Sequence, residues 1–292
     1  MHFTRKQLGI PYILFLILFV VLPLFVVLYY AFTDGQGQFT VENFQHFFTN
    51  GKTLGTLFYS FVIALLTTTV CLFIAYPTAY ILARGGFRKS GVWMLLLVTP
   101  MWINFTLRIT ALKEVLNLIE GNLAFHPLFN AVLCMVYDFL PFMILPIYNS
   151  IARIKPDVIE AAKDLGANSR IVLIRIIFPL TLSLSGVFSG IIMVFVPALT
   201  SFVISDLLGG GKVLLIGNVI EQEFMQGSNW NLGSGLSVVL MIFVIASMTF
   251  WALALAFAVY FFVRQPMATV SDEFSLWATA VKVTKVDNSL YS

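Results

Sequence analysis

The sequence predicts an all-α membrane protein in which about six transmembrane helices form one bundle. Of the 292 residues, 59% are hydrophobic and only 11% are charged, whereas roughly 25% of the residues of an average soluble domain are charged. The hydrophobic residues lie in separate runs that are long enough to cross a bilayer, because its ~30 Å hydrocarbon core needs about 20 helical residues. These two observations favour a single membrane-embedded bundle over two soluble domains.

Six apolar runs are the predicted spans, and the third is the weakest of them. It is short, contains Pro100 and runs into Arg108, and a proline removes a hydrogen bond from a helix. The fourth contains Asp138, but its apolar side chains outweigh the roughly 2.5–3.5 kcal/mol that one central aspartate costs on insertion. The spans are expected at residues 10–32, 57–82, 92–107, 129–151, 180–204 and 236–263.

The basic residues predict the orientation of these spans, since Lys and Arg concentrate in cytoplasmic loops. With the N-terminus inside, 13 of the 17 Lys and Arg residues fall on the cytoplasmic side. Both termini are therefore expected in the cytoplasm, with the chain in the inner membrane. A secretory signal peptide is the other interpretation of the first run, but that run is too long and lacks a small-residue cleavage site. The four basic residues left outside are Lys52, Arg108, Lys113 and Lys212.

The sequence contains no pattern that supports catalysis, metal binding or nucleic-acid binding. Cys71 and Cys134 both lie in apolar spans and are interpreted as small buried side chains. The three histidines lack metal-ligand spacing. The glycines of segment 209–212 superficially suggest a phosphate loop, but Asp206 and Val213 stand where that motif needs glycine and Ser or Thr. We therefore expect no enzyme activity, cofactor, metal or nucleic-acid partner for this chain.

The predicted inner loop, residues 152–179, carries the most information. Pro156 suits the first position of a helix, and Gly166 supplies a left-handed stop about ten residues later. Ala161 and Ala162 are small enough to let another backbone or side chain approach closely. On physical grounds alone, this segment fits either a docking helix or an ordinary amphipathic helix lying on the bilayer surface.

The same loop resembles the EAA loop of ABC-importer permeases, which is written EAA-x3-G-x9-I-x-L-P. Phe178 stands where leucine is usual, and the matching positions include Glu160, Ala161, Ala162, Gly166 and Pro179. The resemblance implies a type I importer permease bundle, in which this loop is the coupling helix that docks on a separate ATPase subunit, expected in two copies. It also implies a second, homologous permease for the other half of the pore and an extracytoplasmic substrate-binding protein.

The likeness extends over nearly the whole chain, from about residue 10 to residue 264. Four further segments are similar to the PotB-type permease family of spermidine/putrescine importers, namely 99–102, 140–146, 205–210 and 215–220. The resemblance implies that the transported solute is a polyamine.

A polyamine carries ammonium groups, so its path needs carboxylates, carbonyls or aromatic faces. Asp138 is placed at membrane depth, where an ionisable residue is by default functional, although a structural hydrogen bond to a neighbouring helix fits as well. For Trp102 and Tyr260 the alternative is packing at the membrane interface. For Asp206, Glu221 and Glu223, which make the fifth outer loop acidic, the alternatives are a solvated charged surface and a docking site for the binding protein. The substrate-path candidates are Trp102, Tyr137, Asp138, Asp206, Glu221, Glu223 and Tyr260.

The expected organisation has three parts: an N-terminal transmembrane helix at 1–35, a core permease domain at 36–264, and a cytoplasmic tail at 265–292 to which no function is assigned. Two other functions remain open. One is an importer permease for another small solute. The other is an ion-coupled secondary transporter, which the lack of a clear inverted repeat disfavours.

Overall fold

The computed structural model describes residues 10–85, 89–123, 125–164, 181–209, 212–227 and 229–287. Within these ranges the regular structure is helical, apart from one isolated antiparallel bridge between Thr33 and Phe39. The helices are α1 Ile10–Ala31, α2 Glu42–Thr49, α3 Gly51–Arg84, α4 Ser90–Val98, α5 Phe105–Glu120, α6 Pro127–Ala152, α7 Pro156–Asp164, α8 Thr181–Thr200, α9 Val203–Leu208, α10 Ile216–Met225 and α11 Trp230–Asp287.

Among the described residues, four helical segments are long and apolar enough to cross a membrane: α1, α3, α6 and the part of α11 from Trp230 to Phe257. They correspond to the predicted first, second, fourth and sixth spans. The predicted fifth span corresponds to α8, which has a shorter apolar stretch at Leu184–Thr200. The backbone of α11 stays helical to Asp287, through most of the segment expected to be a tail.

The third predicted span, 92–107, is not one continuous helix. A 3-10 turn at Thr99–Trp102 follows α4, and the axes of the segments Ser90–Trp102 and Phe105–Glu120 differ by 94°. Pro100 lies inside this turn, and Asn104 starts α5 by accepting the backbone N–H of Thr106 at 3.0 Å. A proline followed by a good N-cap residue explains the break. If this pair counts as one bent span, the number of candidate spans among the described residues rises from four to five.

The centre of the bundle is formed by α3, α6 and α8, which all pack against one another. Small side chains line the contact, such as Ala64, Cys71 and Ala75 of α3, none of which is exposed. On α8, a Cβ added at Gly186 would lie 2.6 Å from the Pro146 carbonyl oxygen of α6. Helices in a bilayer associate by this close approach of backbones over small residues.

The first helix contrasts with this centre, because nearly all of its side chains are exposed. It packs against α11, and two asparagine side chains hold its C-terminal end and the residues that follow. Asn43 Nδ2 donates to the carbonyl of Ala31 at 3.0 Å, and Asn231 Nδ2 donates to the carbonyl of Thr33 at 2.7 Å.

Candidate coupling and substrate-path sites

A short helix, α7, is present where the sequence predicts one, and it begins at Pro156 four residues after α6 ends. Glu160 is exposed on it, and Val158 is 41% exposed. Ala161 and Ala162 lie on the helical backbone of the same element. Gly166 and Pro179 lie outside the described residues. The described part of the loop therefore presents a polar helix at one end of the bundle.

Arg84 fastens the end of α3 to the end of α6, a contact that the sequence did not predict. Its Nη2 donates to the carbonyl oxygen of Ile151 at 2.9 Å and also to that of Ile154. Both isoleucines are buried, with 0% and 3% exposure. A cation placed on the last carbonyls of a helix also suits the helix dipole. The last residue of α3 thus braces the end of α6 immediately before α7 begins.

A buried ion pair joins α5 to α6. Arg108 Nη2 donates to the Asp138 carboxylate, and the two side chains are only 8% and 3% exposed. Arg108 Nη1 also donates to the carbonyl oxygen of Pro100 at 2.8 Å. The guanidinium therefore connects the broken span to α6 at the point of the break. The sequence reasoning found Asp138 but placed Arg108 among the outer charges.

Two cavities adjoin this pair, and a third shares lining residues with one of them. The first, of about 420 Å³, is lined by Asp138, Arg108, Thr200 and Phe202 among others. Arg108 also lines a second cavity of about 460 Å³, together with Tyr137. Thr200 and Phe202 also line a third cavity, of about 480 Å³, which contains Glu221. The structure thus brings three of the predicted substrate-path residues into adjoining spaces.

Asp206 lies beside these cavities in a polar network that is held by a residue missed in the sequence. The side chain of Asn218 is fully buried, and its Nδ2 donates to Asp206 Oδ1 at 2.5 Å and to the carbonyl of Phe202 at 3.1 Å. Its Oδ1 accepts the backbone N–H of Leu215 at 3.0 Å. Asp206 itself is exposed, so its carboxylate is oriented by a buried amide while it remains accessible.

The other three candidates lie elsewhere. Trp102 is 77% exposed at the break after α4, and Tyr260 is 57% exposed on α11. Glu223 lines a separate cavity of about 200 Å³ together with His46 and Lys52. None of these three lines the cavities around the ion pair.

The chain matches the family described as "Binding-protein-dependent transport system inner membrane component" over residues 75–265. It is 35% identical over 243 residues to the spermidine/putrescine transport system permease protein PotB of Haemophilus influenzae, which covers 76% of this chain and 84% of that protein. Identity to the Escherichia coli K12 protein of the same name is also 35%, covering 78% of this chain and 89% of that protein.

Two solved structures share the fold. One is a bacterial ABC transporter involved in the import of the acidic polysaccharide alginate, with a TM-score of 0.57, 16% identity, and coverage of 89% of this chain and 94% of that one. The other is the alginate transporter in complex with an alginate pentasaccharide-bound periplasmic protein, with a TM-score of 0.62, 14% identity, and coverage of 84% and 91%. The expected all-α permease bundle is confirmed, and the chain belongs to the family of inner-membrane components of binding-protein-dependent transport systems.

Proposed function

We propose that this chain is the permease subunit of an ATP-driven polyamine importer and forms half of its translocation pore. The observation that carries the proposal is the 35% identity, over more than three quarters of the chain, to permeases of spermidine/putrescine transport systems. The chain itself would catalyse no reaction. Two ATPase subunits, a second homologous permease and an extracytoplasmic substrate-binding protein would complete the complex.

The chemistry of the cavities supports a cationic solute. Glu221 and Asp138 place carboxylates in adjoining spaces, although Arg108 pairs with that of Asp138 in this structure. Asp206 adds an accessible carboxylate that Asn218 holds. Aromatic rings at Tyr137 and Phe202 provide faces that attract ammonium groups by about 0.5–2 kcal/mol each. The proposed substrate path runs past Tyr137, Asp138, Asp206 and Glu221. Trp102, Glu223 and Tyr260 remain candidates for its outer parts, because they lie away from these cavities.

Coupling to ATP hydrolysis is assigned to the loop that contains α7. In this proposal Ala161 and Ala162 form the surface that docks on the ATPase, and Glu160, which is exposed, makes a polar contact with it. Gly166 turns the chain after the helix, and Pro179 leads it into α8. The brace from Arg84 to the end of α6 supports this role, because it gives a movement of α7 a rigid route into α3.

The substrate is tested with the whole complex, purified from native membranes and reconstituted with its binding protein. Spermidine or putrescine is expected to stimulate ATP hydrolysis and to accumulate inside the vesicles. Stimulation by amino acids, sugars or inorganic ions but not by polyamines would overturn the substrate assignment and leave the family membership intact.

The proposed orientation, with both termini in the cytoplasm, is tested with single cysteines in a Cys71→Ser, Cys134→Ser background. A cysteine at Gln38 is expected to react with an impermeant maleimide in cells stripped of their outer barrier. A cysteine at Ser90 is expected to react only after lysis. Labelling of the Ser90 position in sealed cells would reverse the orientation.

A further inference from the structure

Arg108 forms an ion pair with Asp138, whose carboxylate a cationic solute would need. Asp138 and Arg108 are both buried, so the two charges neutralise each other away from water. Burying an isolated carboxylate at this depth would cost free energy, whereas a hydrogen-bonded ion pair offsets most of that cost. A cation that enters the 420 Å³ cavity therefore gains little from Asp138 while Arg108 stays in place.

The surroundings of Arg108 give its side chain a second place to go. Arg108 lines both the 420 Å³ cavity and a second one. The second cavity, of about 460 Å³, contains Tyr137, and a guanidinium is well suited to stacking on an aromatic ring. The buried Nε of Arg108 has no hydrogen-bond partner among the described residues, so the present position does not satisfy all of its donors.

Movement of Arg108 would also change the broken span. The guanidinium holds both Asp138 of α6 and the carbonyl of Pro100 in the turn between α4 and α5. If it leaves Asp138, the pinned Pro100 carbonyl is freed at the same time. Occupation of the cavity and the geometry of the 94° bend are therefore connected through one side chain.

We propose that Arg108 is an internal competitor of the substrate: an ammonium group displaces it from Asp138, and its departure to the side of Tyr137 releases the bend at Pro100. One positive charge replaces another at the carboxylate, so the charge next to Asp138 stays balanced throughout. The ligand class is an aliphatic amine with two or more ammonium groups. This inference rests on the proposed function and adds the step by which the permease registers its substrate.

A permanent ion pair that only fastens α5 to α6 would place the same two residues together, and paired substitutions separate the two roles. Arg108→Gln removes the competitor, Asp138→Asn removes the binding carboxylate, and the double variant leaves a neutral cavity with no unpaired charge. Lys113→Gln, which removes one positive charge from the same helix, is the matched control.

The measurement is the retention of labelled spermidine by the purified complex without its binding protein, together with uptake by the reconstituted complex. Arg108→Gln is expected to half-saturate at a several-fold lower spermidine concentration than the wild type, yet to take up less. Asp138→Asn and the double variant are expected to lose about tenfold or more in retention, which corresponds to one carboxylate contact. Lys113→Gln should match the wild type.

If the double variant recovers wild-type retention and uptake, the ion pair serves only to fasten α5 to α6, and the proposed displacement of Arg108 is wrong. Unchanged spermidine affinity in Arg108→Gln would also overturn it. If either single variant fails to accumulate in the membrane, the double variant alone decides, because it leaves no charge unpaired. Uptake of polyamine by the wild type without any retention of it would also overturn the displacement, whereas the loss of both uptake and retention would mean that the proposed function fails.

Discussion

Replacing Arg84 by glutamine is expected to uncouple ATP hydrolysis from transport. Arg84 ends α3, and its Nη2 donates to the carbonyls of Ile151 and Ile154 directly before α7 begins. Glutamine is uncharged and too short to reach both acceptors. The base of α7 would then lose its connection to the centre of the bundle while its own helix stays intact.

The magnitude follows from the two hydrogen bonds that are lost. Each charge-assisted bond contributes about 1.5–3 kcal/mol. Arg84 is only half-buried, so water replaces part of this, and we expect a net local loss of about 2–4 kcal/mol. At ~1.4 kcal/mol per decade, the braced arrangement would become roughly 30- to 1000-fold less populated relative to the detached one. The bundle should persist, since α3 keeps its small-residue contacts with α6 and α8.

The assay compares substrate uptake per ATP hydrolysed in the reconstituted complex. Arg84→Lys is the matched control, because lysine keeps the charge and can reach one of the two carbonyls, so an intermediate ratio is expected. Thermal unfolding of both variants in detergent checks that the bundle is intact. Wild-type uptake per ATP in Arg84→Gln, with the ATPase still bound, would refute the reasoning.

Two further predictions concern packing and docking. Gly186→Ala is expected to destabilise the chain by about 1–3 kcal/mol, because the new Cβ meets the carbonyl of Pro146 at 2.6 Å. Gly55→Ala, where no atom lies within 4 Å, should instead gain roughly 0.5–1 kcal/mol; melting temperatures that move in the same direction would contradict this. Gly166→Val, which would force a branched side chain into the left-handed turn that the sequence predicts there, and Ala162→Trp, which would overfill the proposed docking surface, should abolish uptake and weaken ATPase co-purification at normal abundance. Normal uptake with the ATPase bound would make this loop a simple interfacial helix.

The sequence was most informative where a physical rule acts over short distances. Hydropathy located the helices because each span must be apolar along its own length. Proline and cap preferences predicted the start of α7 at Pro156, where the structure begins it. The same local rules marked the third span as weak at Pro100, which is where the chain bends.

The contacts between distant residues were not accessible in this way. Arg108 was counted as an outer charge because a span was assumed to run straight, whereas the 94° bend places its guanidinium on Asp138, thirty residues later. Asn218 lies in segment 215–220, which carries part of the family resemblance, but its residue type alone predicted no particular partner. Hydropathy and periodicity report which face of a helix is buried, and they do not report which helix covers it.

The two arginines reach different kinds of acceptor, and this has a consequence for comparing related permeases. Arg84 binds main-chain oxygens of Ile151 and Ile154, which every amino acid supplies. The two bonds therefore do not depend on the side chains at 151 and 154, and correlated substitutions with position 84 should be weak. Arg108 binds the side chain of Asp138, so a change at either position leaves the other charge exposed to a nonpolar environment. Among homologues, residues 108 and 138 should therefore change together, whereas the arginine at position 84 should be retained without correlated substitutions at positions 151 and 154.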